Sequence, residues 1–140
     1  MTELIFDRTA EDVRQGSPKG VYGAADLNRV EQTVERLQRR MEQLDVHLQL
    51  QTKTDWDLPG QFSVQRWPTH SQMRRYRENV HQLCLHSNVD AQIPADMAGL
   101  TWEGANQIEY ALHQVQQRVN HIINAYRYSG EAFSGEENIL

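Results

Sequence analysis

The stretch AADLNRVEQTVERLQRRMEQLD, residues 24–45, decides how this chain is built. Its apolar residues Leu27, Val30, Val34, Leu37, Met41 and Leu44 recur at alternating intervals of three and four, which places all of them on one stripe of an α-helix. No Pro or Gly interrupts the run. The positions between, including Asn28, Gln32, Glu35, Arg36 and Gln38, are expected to face water. The stripe covers barely three heptads, which suits a bundle core better than an intermolecular coiled coil.

Working outward, Val46, Leu48 and Leu50 alternate with His47, Gln49 and Gln51, a period of two that predicts an extended segment, as in a strand of a small ribbon. Pro59, Gly60 and Pro68 then break regular structure, leaving a loop pinned by Trp56 and Trp67. Thr69 followed by Gln72 has the form of a capping box and announces a second helix, with Met73, Tyr76, Val80 and Leu83 on one face and an end near His86 to Asn88. After a connector containing Pro94, Thr101 caps a third helix whose stripe is Ala105, Ile108, Leu112, Val115, Val119, Ile122 and Tyr126. Beyond Tyr128, the sequence Ser129-Gly-Glu-Ala-Phe-Ser-Gly-Glu136 reads as a non-helical tail. Near the other end, Thr9-Ala-Glu-Asp12 can cap a single helical turn through Arg14 before Gly16-Ser17-Pro18-Lys19-Gly20 breaks it.

The expected fold is therefore mainly α: one domain, residues 1–140, holding a three-helix bundle with extended N- and C-terminal segments and room for a short β-ribbon. An extended arm covers 1–23, the bundle 24–128 and the tail 129–140. Three amphipathic stripes most simply pack antiparallel, each supplying the others with apolar partners.

The net charge of −5, from 19 acidic and 14 basic residues, sets up no positive field for a nucleic-acid backbone or an anionic membrane. Local basic clusters at Arg36, Arg39 and Arg40 and at Arg74, Arg75 and Arg77 lie among Glu31, Glu35, Glu42 and Glu78. They read first as a mixed solvated face and second as a docking patch for an acidic partner. The single Cys84 has no partner for an internal disulfide and is expected to be packed. The start of the chain lacks a secretory pattern and no apolar run reaches membrane-spanning length, so synthesis in the cytoplasm is expected.

No chemistry stands out. His47, His70, His81, His86, His113 and His121 are not at metal-ligating spacing, so no metal or other cofactor is expected. Neither a nucleophile elbow nor a Gly-rich phosphate loop is present, and no small-molecule substrate is implied. Asp55 and Asp57 flank Trp56 in an arrangement a glycan site could use, although Asp and Trp in a loop more often make turn bonds and an apolar plug. The chain is expected to be non-enzymatic. Its candidate partner-binding residues are those of the ends, Leu4, Ile5 and Phe6 in the arm and Tyr126, Tyr128 and Phe133 where the last helix gives way to the tail.

Several strings together resemble a family of tail-region structural proteins from phages and prophages of Firmicutes. They are Leu4-Ile5-Phe6-Asp7-Arg8-Thr9, Lys19-Gly20-Val21-Tyr22 leading to Asp26-Leu27-Asn28-Arg29-Val30, and Lys53-Thr54-Asp55-Trp56. Further on come Pro68-Thr69 with Met73, Tyr76 and Asn79, then Met97-Ala-Gly-Leu100-Thr101 with Ala105-Asn106-Gln107-Ile108-Glu109, and last Tyr128-Ser129-Gly130-Glu131. The chain departs from the pattern at Gly23, where an Asn or Ser cap is usual. What the resemblance implies is a non-enzymatic part of a tail, baseplate or fibre assembly that docks to other virion proteins, with homo-oligomers allowed, made in the host cytoplasm and carried in the virion. The alternative is a small intracellular helical adaptor or regulatory module.

Overall fold

In the computed structural model, residues 3–59 and 68–132 are described, with side chains on the last helix described as far as Tyr126. A short helix α1 (Ala10–Gln15) and a 3-10 turn at Pro18–Gly20 precede three long helices, α2 (Ala24–Glu42), α3 (His70–His86) and α4 (Trp102–Ala132). The expected helical bundle is what forms. Leu27, Val30, Val34, Leu37 and Met41 of α2 pack with Tyr76, Val80 and Leu83 of α3 and with Ile108, Leu112, Val115 and Val119 of α4 in one core. Cys84 is buried there too, and its thiol is pushed up to about 11 by that burial.

The caps sit where the residues call for them. Thr9 opens α1 and Thr69 opens α3 with reciprocal capping boxes, and the Thr101 hydroxyl accepts from the Gly104 amide at the start of α4. Three helix ends use a left-handed residue: Gly16 after α1, Asp45 after α2 and Asn88 after α3. In each case the next amide reaches back across the last turn, Ser17 to Asp12, Val46 to Met41 and Val89 to Cys84.

The helices are parallel, against the antiparallel expectation. Arg29 bonds Glu109 and Arg36 bonds Gln116, both across a constant offset of 80 residues, so α2 and α4 run in the same direction. α3 joins them in that sense: its first turns lie beside residues 95–98, the connector that leads directly into α4. The physical reason is the length of the links. Residues 43–69 and 87–101 exceed the roughly two to eight residues that join antiparallel neighbours, and the described part of each returns along the helix the chain has just left.

The first return replaces the expected β-ribbon. Among the described residues there is no strand. Leu44, Val46, Leu48 and Leu50 do turn one edge into the core while His47 and Gln49 face out, as the period of two predicted. Their backbone partners, however, are helix side chains. The Leu50 amide donates to Gln38 at 2.9 Å, the Lys53 amide to Glu31 at 3.0 Å and the Trp56 amide to Asn28 at 2.9 Å, while the Thr52 hydroxyl donates to Glu35. Positions 28, 31, 35 and 38 form a second, polar stripe on α2 that is covered, not wet.

At the far end α4 continues through Ala132, so residues 129–132 are helical and not tail. By the offset of 80 residues, Glu42 at the end of α2 is level with Ile122. The last turns of α4 therefore extend past the end of α2 by about 15 Å at 1.5 Å per residue.

Candidate functional site

The N-terminal arm is seated in the furrow between α2 and α4, and a buried charge cluster seats it. Arg8 enters from the arm and donates from Nη2 to Glu109 at 2.6 Å and to Asp26 at 3.2 Å. Arg29 on α2 forks onto the same Glu109, Nε to Oε1 and Nη2 to Oε2 both at 2.7 Å, and also bonds Asp26. Arg8 is 3% exposed and Glu109 0%, which is tolerable only because two cations meet two carboxylates, although the buried Nε of Arg8 finds no partner among the described residues. Burial opposes the charge on Arg29, but its bonds to Glu109 and Asp26 more than offset this and hold the guanidinium firmly protonated.

Backbone groups complete the seat. The amide of Ile5 donates to Glu109, and Asn106 binds the Arg8 backbone from both sides, accepting from its amide at 3.1 Å and donating to its carbonyl at 3.0 Å. The Arg8 guanidinium lies 5.4 Å from the centre of the Tyr22 ring, and the Tyr22 and Tyr76 hydroxyls are hydrogen-bonded to each other. Burial raises both tyrosines well above their ordinary ionisation range.

A second polar cluster fixes the return segment. Glu31, 1% exposed, accepts from the Trp56 indole at 2.6 Å, from the Lys53 amide, and from both terminal nitrogens of Arg75 on α3. Arg75 and Asn79 also donate to the Gln51 carbonyl. The mixed solvated face expected for Glu31 and Arg75 is thus in part an internal ion pair joining α2 to α3 through the return segment.

The Asp-Trp-Asp arrangement is dismantled by the same contacts. Trp56 is 1% exposed, Asp55 pairs with Lys53 and Asp57 accepts from Asn28, leaving no open ring between free carboxylates. Trp67 lies outside the described residues.

The proposed partner-binding residues fall in three places. Leu4 packs partly against the core, and Ile5 is half-buried with its amide engaged. Phe6 is 37% exposed and leans on Tyr110 and His113, with ring centres 5.3 and 4.9 Å away, making an aromatic surface patch with Tyr110. Tyr126 stands exposed on the overhang of α4, Tyr128 is placed there by its backbone alone, and Phe133 lies outside the described residues.

Sequence reasoning missed Arg8, Asp26, Arg29, Asn106 and Glu109 as a set. One signal was available: Arg29 and Glu109 each interrupt a helix close to its apolar stripe, and charges there imply a partner. Among the described residues no group of His, Cys, Asp and Glu is placed to hold a metal ion, and no helix is long and apolar enough to cross a membrane. A cleft of about 600 Å³ lies between the start of α3 and residues 95–98 and is lined by Met73, Arg74, Arg77 and Met97. Comparison with protein-family models, with curated proteins and with solved structures finds no match to this chain.

Proposed function

We propose that this chain is a non-enzymatic structural component of a phage or prophage tail, baseplate or fibre assembly, docking to neighbouring virion proteins. The observation that carries the reading is the overhang of α4, which extends a helix bearing the exposed Tyr126 past the end of α2. A projecting helix with an aromatic has surface to offer a partner. The Phe6 and Tyr110 patch is a second such surface.

The family resemblance supports the reading through specific residues. Its strings contain Arg8, Tyr22, Asp26, Arg29, Trp56, Tyr76, Asn79, Asn106 and Glu109, the groups that join the arm and the first return segment to the helices. Particles purified from an induced lysogen carrying the gene are expected to contain the protein by mass spectrometry. Its absence from particles, together with normal tails after deletion of the gene, would turn the reading toward the intracellular adaptor.

A further inference from the structure

Three extended stretches of this chain are held by helix side chains that bond to their backbone. Asn106 grips Arg8 at both its amide and its carbonyl; Gln38, Glu31 and Asn28 hold residues 50–56; Arg77 on α3 donates to the Pro94 carbonyl. The furrow between α2 and α4 is a binding surface for extended chain, and the described contacts of the arm there reach only from Asn106 to His113.

The furrow continues. Past His113, α4 presents Gln116 and Asn120, and Asn120 falls on the stripe of Asn106 and His113 at the same seven-residue spacing. Opposite them α2 carries Arg36, Arg39 and Arg40, with Arg36 bonded to Gln116. Arg39 is exposed and Arg40 half-buried, and neither is paired with a carboxylate among the described residues. Elsewhere in the same furrow Arg8 and Arg29 are matched by Asp26 and Glu109. Burial, and then the charges of Arg40 and Arg39, make Arg36 easier to deprotonate than usual, so the three guanidiniums crowd one another. The dipole of α2 favours cations in its last turn, where Arg39 and Arg40 stand, but it supplies no oxygen to their N–H groups.

We propose that the α2/α4 furrow past His113 is a docking site for an extended, carboxylate-rich segment of another protein. Its carboxylates pair with Arg39 and Arg40, and Asn120 holds its backbone as Asn106 holds that of Arg8. The proposal is independent of whether the chain resides in a virion.

The test titrates isotope-labelled full-length protein with a synthetic decapeptide of alternating Glu and Thr, followed by NMR. Amide and arginine side-chain shifts are expected at residues 36–40 and 116–120, weakening with salt and missing for the Lys and Thr counterpart. Arg39→Glu, at an exposed position and checked for helix content, should weaken binding about tenfold, and adding Arg40→Gln should weaken it further. Shifts spread equally over the exposed Arg74 and Arg118, or undiminished in Arg39→Glu, would overturn the proposal. So would a single-stranded RNA oligomer that occupies the furrow more tightly than the peptide, since that would make it a nucleic-acid site.

Discussion

The indole N–H of Trp56 donates to Oε2 of Glu31 at 2.6 Å, with both side chains 1% exposed. The bond ties a loop to the middle of α2, and the same carboxylate receives Arg75 from α3. Glu31→Gln keeps the shape and removes the charge, leaving Arg75 facing a neutral amide. It should destabilise the protein by about 3 kcal/mol, read as the shift in denaturant midpoint at constant slope. An unchanged midpoint would show that the cluster is not coupled to folding.

Arg8→Ala tests the arm separately. It leaves Glu109 and Asp26 with Arg29 alone and opens a polar cavity under residues 5–8, an expected loss of about 2–3 kcal/mol. Hydrogen exchange should localise the effect. The Ile5 and Arg8 amides, bonded to Glu109 and Asn106, lose protection while α3 amides such as Val80 keep theirs relative to the new global stability. Wild-type exchange at Ile5 and Arg8 would mean that something other than Arg8 holds the arm.

Two glycines make a paired prediction. A Cβ at Gly20 would overlap the Asp12 carbonyl, a backbone group that cannot swing aside, so Gly20→Ala should push the 3-10 turn off α1 and lower stability by about 2 kcal/mol. Gly23, at the N-cap of α2, has open space around it and extended backbone angles. Gly23→Ser should add a side-chain cap and raise stability by a few tenths of a kcal/mol. Thermal melts of both variants check the pair, and a stabilising Gly20→Ala would contradict the packing of α1 on the turn.

Alkaline pH should unfold the protein early. Tyr22 and Tyr76 have raised native ionisation from burial, so the unfolded chain releases their protons first, near its ordinary value of 10.0. The stability they contribute is complete below that pH and is lost as pH rises beyond it. Cys84, pushed up to about 11 from 9.0, starts the loss slightly sooner. Tyrosinate absorbance should show these two tyrosines titrating with unfolding and not before, and a native-state titration at the ordinary value would contradict their burial.

Local rules made much of this fold legible. Leu27 to Met41, Thr69 with Gln72, and Thr101 are each set by periodicity or by a cap, and α2, α3 and α4 begin where those signals lie. On α4 the stripe drifts at its end, with Ile123 buried and Tyr126 exposed, because the bundle stops there and no longer rewards the pattern. Helix direction was misjudged because apolar stripes carry no polarity. The lengths of residues 43–69 and 87–101 did carry it. The arm's seat was less legible still. Arg8 gains meaning only through Glu109, and Asn28, Glu35 and Gln38 look solvated until an extended segment is laid over them.

Parallel helices also bear on how quickly such a molecule can form. An up-and-down bundle assembles neighbours that are close in sequence, whereas here every packed pair of long helices is separated by a returning segment. The arm's bonds to α4 span 98 to 104 residues. High contact order slows folding because chain entropy is lost before the contacts that reward it are made. The arm is synthesised before its acceptors Asn106 and Glu109, which follow Arg8 by 98 and 101 residues. Until then the positive charge of Arg8 waits in solvent, and closure of the α2/α4 furrow around it is the step expected to limit the rate.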